Sequence, residues 1–290
     1  MSVVGVKKNY FESVKVKRRI TNIIVFTILA TGSILLLSPM WWMFATSVKS
    51  MQEIMVYPPT FWPSEWHLGN YIETFKAAPF WRYTLNTLFL TFFAVFANTL
   101  SNSFIAYGFA KIKFKGRNVW FAILLATMML PGFVTLIPQY VMFAKLGWLN
   151  TYLPLIIPQF FGGAFFIFLL RQFYLTIPNE LLEAAKIDGA SHFYIWLRII
   201  VPLSKPAIAT VAIFTFNGSW NDFLGPLLYL NDESLYTLQL GLQVFKGQVQ
   251  TQWNFLMAGS IMVLLPVIIL FFIFQRYFIE GMNLTAGSKG

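Results

Sequence analysis

Six stretches of this chain are apolar for about the 20 residues a helix needs to cross the hydrocarbon core of a bilayer, and that length leaves few folds open. They run approximately from Ile20 to Phe44, Tyr83 to Ala110, Val119 to Ile137, Tyr152 to Leu170, Ala207 to Leu230 and Asn254 to Phe274. Lipid offers no hydrogen bonds to the backbone, so each run must satisfy its own amides, and an all-α polytopic fold with six transmembrane helices is predicted. The balance of residues agrees. Of 290 residues 57% are hydrophobic and 11% charged, where a soluble domain carries about a quarter charged. The 10 Trp sit largely near the ends of apolar runs, where an amphipathic ring suits the headgroup layer. The first run follows a Lys/Arg-rich start, but from Ile20 to Ala45 it is too long for the h-region of a signal peptide and is read as a retained helix. Pro154, Pro158, Gly162 and Gly163 in the fourth run, and Gly218, Gly225 and Pro226 in the fifth, predict bent or interrupted helices.

The net charge of +10 is spread in short clusters between the apolar runs. That is how membrane topology is encoded, and nucleic-acid binding is excluded on this distribution. Lys7, Lys8, Lys15, Lys17, Arg18 and Arg19 precede the first run; Lys111, Lys113, Lys115 and Arg117 follow the second; Arg171, Lys186, Arg198 and Lys205 follow the fourth; Arg276 and Lys289 follow the last. The opposite connections hold only Lys49, Lys76, Arg82, Lys145 and Lys246. Basic loops resist translocation, so both termini are expected in the cytoplasm, with the spans in contact with lipid; the resemblance set out below implies that this is the plasma (inner) membrane of a bacterial cell. The expected organisation is a basic tail over 1–19, a six-helix membrane-spanning domain over 20–277 with an external loop over 48–82 and a cytoplasmic loop over 174–205, and a short tail over 278–290. Tyr57, Pro58, Pro59, Phe61, Trp62, Pro63 and Trp66 make the external loop a rigid aromatic segment or a plain loop.

Chemistry carried by the chain itself is scarce. There is no Cys, and His67 and His192 are far apart, so no metal site is expected and no cofactor is called for. No Gly-x-x-x-x-Gly-Lys-Ser/Thr exists to cradle phosphates. Asp222 is the one acid within a run, at a depth that calls for a partner or water. Thr84, Thr87, Thr91, Asn98 and Asn102 recur along one face of the second run and either bond a neighbouring helix or line a wet pathway. Trp220, Asn221 and Asp222 offer an aromatic face, an amide and a carboxylate, the groups that bind sugars; the alternative is a hydrated kink.

The connection from Ile177 to Pro202 reads as two short helices with a corner. Asn179 is placed to cap the first, Glu180 and Glu183 favour its positive end, and Gly189 suits the left-handed residue that ends it. Ser191 starts the second, and Pro202 helps to stop it. Ala184 and Ala185 keep one flank low, so that another protein can approach closely.

Glu183-Ala184-Ala185, with Gly189 four residues on and Ile199-Ile-Val-Pro202 after nine more, resembles the cytoplasmic signature of the permeases of binding-protein-dependent ABC importers. Val201 stands where Leu is usual. Tyr57-Pro-Pro-x-Phe-x-Pro, Asn70-Tyr71, Trp220-Asn-Asp-Phe and Gln275-Arg-Tyr-Phe with Glu280-Gly281 are similar to sugar importers, closest to the smaller permease of maltose-type systems. The resemblance implies a second permease, two cytoplasmic ATPase subunits and an extracytoplasmic solute-binding protein that delivers a sugar or oligosaccharide. It also implies that Glu183, Ala184, Ala185, Asp188, Gly189, Ala190 and Pro202 form the ATPase-coupling loop, that Glu183 pairs with a basic residue there, and that the C-terminal tail reaches between the ATPases. The pathway candidates are Trp220, Asn221, Asp222, Asn98 and Asn102. A different cargo, an ATP-independent secondary transporter and a membrane scaffold are the alternatives.

Overall fold

A computed structural model describes the backbone of residues 3–247 and 251–286 and the side chains of residues 16–247 and 251–275. The helices are α1 (Val3–Ser47), α2 (Met51–Ile54), α3 (Gly69–Ala77), α4 (Phe80–Lys111), α5 (Arg117–Ala126), α6 (Gly132–Lys145), α7 (Leu153–Ile156), α8 (Ala164–Thr176), α9 (Glu180–Ile187), α10 (His192–Ile195), α11 (Val201–Leu203), α12 (Lys205–Trp220), α13 (Leu224–Tyr229), α14 (Leu238–Gly241) and α15 (Trp253–Ala286). The fold is all-α. Four segments, Val16–Ser47, Phe80–Lys111, Leu153–Thr176 and Trp253–Gln275, are long and apolar enough to cross a membrane. Two further bent pairs bring the number to six if each is one span.

One bend falls where the sequence reading had a continuous span. Between Arg117–Met129 and Gly132–Lys145 the axis turns by 96°. Leu130 is extended, with ψ 118°, because the ring of Pro131 crowds the helical conformation of the residue before it. Proline does not always break a helix here. In α1, Pro39 has no N–H to give the Leu35 carbonyl, and the neighbouring Ser38 hydroxyl donates to that oxygen instead at 2.8 Å. The expected interruptions are present: Gly162 (φ 77°) and Gly163 separate a 3-10 turn over Ile157–Phe161 from α8, and residues 221–223 separate α12 from α13.

The chain divides into two compact units, Met1–Glu73 with Thr251–Ile261 and Thr74–Gln250 with Met262–Gly290. In the first, the helix starts well before Ile20, since residues 3–19 contain nothing that stops one. Most apolar side chains of α1 between Val16 and Trp42 point outward, Leu36 being 81% exposed, as a lipid-facing helix requires. The side chains of Lys7, Lys8, Lys15, Arg276 and Lys289 lie outside the described residues, as do residues 287–290; the tail that was expected to begin at 278 continues α15 to Ala286.

In the second unit the core forms where α4 and α8 meet the segment from α9 to α12. Ala106, Tyr107 and Ala110 pack with Leu170, Tyr174, Leu182, Ile195, Trp196, Ile200, Ala207 and Val211. Lipid tails are as apolar as leucine, so helices here gain little from burial as such. Small residues such as Ala106 and Ala110 let backbones approach, and dispersion and interhelical hydrogen bonds hold them, at about 0.6 kcal/mol per bond.

Candidate functional site

The segment after α8 folds into the expected pair of short helices. Asn179 does not cap α9 through its side chain. Its Oδ1 accepts from Lys111 Nζ at 2.9 Å, and the same ammonium donates to the Ile177 carbonyl at 2.6 Å, so α4 holds the entry to α9. The acidic Glu180 and Glu183 occupy the first turn, where the helix dipole favours negative charge.

The far end of α9 explains the spacing of the motif. Gly189 has φ 83°, the left-handed region in which a Cβ is disfavoured. Its N–H donates to the Lys186 carbonyl at 3.0 Å, and that of Ala190 to the Ala185 carbonyl at 2.9 Å. This is a Schellman cap, with Ala185 three positions from the cap residue Asp188 and Gly189 just beyond it. Ala185 and Ala190, the residues this cap draws together, both pack on the core. Glu183, Ala184, Lys186, Ile187, Asp188 and Gly189 face outward, and Ile187 is 87% exposed. Leu182 is the side chain of α9 that is buried. The result is a low, ordered knob with an apolar residue at its tip and a carboxylate on its flank.

Beyond the corner, the Ser191 hydroxyl accepts the N–H of Tyr194 at 3.2 Å, as expected of a helix start. The helix that Ser191 starts runs through Pro202 and stops one residue later, at Leu203. A π turn over Trp196–Ile200 precedes the proline, with Val201 N–H bonded to the Trp196 carbonyl, and widening the turn accommodates a ring that would otherwise clash with the previous one. Ser204 follows as the cap residue, and the axis turns by 84° into α12.

Three residues at i, i+4 and i+8 on α4 tie this segment down. Ser103 Oγ accepts from the Trp196 indole N–H at 2.9 Å and shares a hydrogen bond with Tyr174 OH at 2.8 Å. Tyr107 OH lies 2.9 Å from His192 Nδ1, and Lys111 makes the contacts above. The sequence reading missed this row. Its signal was Ser103, Tyr107 and Lys111 beside the Asn98 and Asn102 stripe on the same helix.

That stripe also finds partners. Asn102 is fully buried; its amide donates to Asn98, and its Oδ1 accepts the Gly163 N–H at 2.7 Å, fixing the interruption before α8. Asn98 donates to Gln159 Oε1 at 2.9 Å. Thr87 accepts the Leu238 N–H at 2.8 Å, Thr91 receives the Ser219 hydroxyl at 3.4 Å, and Thr84 donates to the Phe80 carbonyl.

A cleft of about 550 Å³ opens among α4, α6, α7, α12 and α13. Its polar wall is Asn98, Gln139, Gln159, Thr215, Ser219 and Asp222, with aromatic faces from Phe143, Phe166, Phe214 and Tyr229. Asp222 is half-buried there, and its Oδ1 accepts the Gly225 N–H at 3.1 Å, which shapes the turn into α13. Trp220 and Asn221 stand elsewhere. Trp220 is buried, stacked on Phe216, with its indole N–H bonded to the Val263 carbonyl at 3.0 Å. Asn221 is exposed, bonded to Asn217 and to Gln239. Gln139 and Gln159 were not singled out from the sequence, since isolated Gln residues near prolines carry no pattern.

In the first unit, the segment after α1 is tied by short polar contacts. Asn70 Nδ2 donates to the carbonyls of Ser47 and Lys49, both at 2.9 Å, and Tyr71 OH lies 2.9 Å from Ser47 Oγ. Trp62 packs on Trp41 with centroids 4.5 Å apart. The segment is therefore more ordered than a plain loop.

Residues 102–283 match the family described as binding-protein-dependent transport system inner membrane component. An arabinooligosaccharide transport system permease protein of Halalkalibacterium halodurans is 36% identical over 79% of this chain and 81% of its own length. An sn-glycerol-3-phosphate transport system permease protein of Escherichia coli is 33% identical over 88% and 94%. A chain from the crystal structure of a bacterial ABC transporter involved in the import of the acidic polysaccharide alginate superposes with a TM-score of 0.80 and 26% identity, over 90% of this chain and 98% of that one. With the family matched over most of its length and the spaced motif folded into an exposed, capped knob, this chain belongs to the inner-membrane permease components of binding-protein-dependent transport systems.

Proposed function

We propose that this chain is one of two permease subunits of an ABC importer, forming with its sister an alternating-access pathway for a sugar or oligosaccharide delivered by an extracytoplasmic binding protein. ATP hydrolysis resides on two partner ATPase subunits. The chain needs no cofactor and catalyses no reaction of its own. Both termini and the Glu183 knob face the cytoplasm, and the 48–82 segment faces outward, as the Lys/Arg distribution requires.

The observation that carries the reading is the knob. A Schellman cap holds α9 rigid, the row on α4 fixes its base, and its exposed face offers Ile187, the low flank at Ala184 and the carboxylate of Glu183 to a docking partner. Closure of the two ATPases then moves the segment as a body, and the α4 contacts pass that movement to the spans. The carbohydrate cargo rests on the relatives that carry arabinooligosaccharides and alginate, and on a cleft that combines amides, hydroxyls and a carboxylate with aromatic faces. The glycerol 3-phosphate relative favours a second reading, an importer for a phosphorylated polyol.

The test is to purify the tagged chain from its native membranes in mild detergent, identify what accompanies it, and assay ATP hydrolysis with and without Glu183→Lys. A second permease and an ATPase are expected to copurify, and the substitution is expected to weaken their association and lower hydrolysis. A chain that purifies alone and shows no effect of Glu183→Lys would point instead to an ATP-independent transporter.

A further inference from the structure

We propose that the cleft around Asp222 selects its solute by charge, favouring neutral or cationic hydroxylated solutes over anionic ones; the inference rests on the cleft being the solute pathway. Asp222 is the one charged side chain among the described residues of the cleft, and no Lys or Arg lines it. With no cation among the residues that line it, the cleft holds nothing to neutralise that carboxylate.

The carboxylate is also fixed in place. Its Oδ1 accepts the Gly225 N–H, and Gly225 comes so close that a Cβ there would sit 2.5 Å from Asp222 Oδ2 and 2.9 Å from Leu155 Cδ2. A side chain at 225 would push the carboxylate away, so the glycine preserves the arrangement. The rest of the polar wall is neutral: amides at Asn98, Gln139 and Gln159, and hydroxyls at Thr215 and Ser219. These groups both donate and accept, as a polyhydroxylated solute requires. Thr215 is 7% exposed, and its hydroxyl has no protein partner.

An uncompensated charge inside a low-dielectric wall acts over the whole cleft. At effective dielectric constants near those of protein surfaces, a unit charge several ångströms away changes local ion concentrations by about tenfold or more. A phosphate or uronate would meet that field as repulsion, and a neutral sugar would not.

The absence of Cys makes the test direct. Ser219→Cys in the assembled transporter, in membrane vesicles, is reacted with the cationic 2-(trimethylammonium)ethyl methanethiosulfonate and the anionic 2-sulfonatoethyl methanethiosulfonate, each rate normalised to a free thiol. The cationic reagent is expected to react about tenfold faster or more, and Asp222→Asn, whose amide oxygen still accepts from Gly225, is expected to bring the ratio close to one. Equal rates, or a faster anionic reagent, would overturn charge selection while leaving a wet pathway intact. Failure of both Ser219→Cys and Gln139→Cys to react with either reagent would overturn the pathway reading itself, and the selectivity with it.

Discussion

At the scale of single residues, the polar groups of the segment after α1 make a testable case. Glu53 Oε1 accepts the Ser64 N–H at 2.9 Å, the Thr60 hydroxyl at 3.0 Å and the Ser64 hydroxyl at 3.3 Å. Partial burial pushes the carboxyl up, but these bonds and the nearby Lys49 ammonium outweigh it, so its pKa lies below the ordinary carboxylate value. The folded pKa is thus depressed. Its contribution to stability is fully present above the unfolded pKa and is lost as pH falls through the folded one. The exposed pair of Glu65 with His67, at 3.7 Å, contributes little by comparison. Acidification below the usual carboxylate range is therefore expected to loosen residues 48–73 at Glu53, read as faster protease cleavage in that segment. Glu53→Gln keeps an acceptor and removes the titration, so its cleavage rate is expected to be flatter with pH. An unchanged acid response in that variant would refute the assignment.

At the scale of elements, α4 organises the second unit through two adjacent rows of side chains. The row of Asn98 and Asn102 fixes the start of α8, and the row of Ser103, Tyr107 and Lys111 fixes the segment that carries Glu183. Asn102→Ala removes the acceptor of the Gly163 N–H and the donor to Asn98 inside a fully buried site. Leaving such groups unpaired costs about 1–3 kcal/mol. Thermal unfolding of the purified complex is expected at a clearly lower temperature for Asn102→Ala than for Thr84→Ala, since Thr84 donates only within its own helix. Equal melting temperatures would remove the structural role of Asn102. The sequence showed part of this. The polar face of α4 was legible because its residues repeat at helical spacing on one element. Its partners were not, because Tyr174 and Trp196 lie 71 and 93 residues from Ser103 and only packing brings them together. The Glu183 to Gly189 motif was legible for the opposite reason, since its cap forms within a few residues.

At the scale of the whole molecule, the apolar runs were readable because crossing a bilayer is a matter of length and composition, and the interruptions at Gly162 and after Trp220 were announced by Gly and Pro. The break at Pro131 was not. Pro39, Pro138 and Pro266 are carried inside helices, so a proline in an apolar run does not decide between a kink and a break; at Pro131 the following Gly132 adds a second residue of low helix propensity. Orientation is the property that neither packing nor hydropathy determines. It rests on basic residues, because each Lys or Arg in or beside a short connection opposes translocation, and the stretch from Lys111 to Arg117 holds Lys111, Lys113, Lys115 and Arg117, whereas the much longer stretch from Val48 to Arg82 holds Lys49, Lys76 and Arg82. A chain without Cys allows this to be read one position at a time. In spheroplasts, a membrane-impermeant maleimide is expected to label Tyr57→Cys, where the native side chain is 91% exposed. Lys113→Cys, also at an exposed position, is expected to react only after the membrane is permeabilised. The reverse pattern would put the Glu183 knob on the same side as a solute-binding protein, where no ATPase could drive it, and the importer mechanism would fall with the orientation.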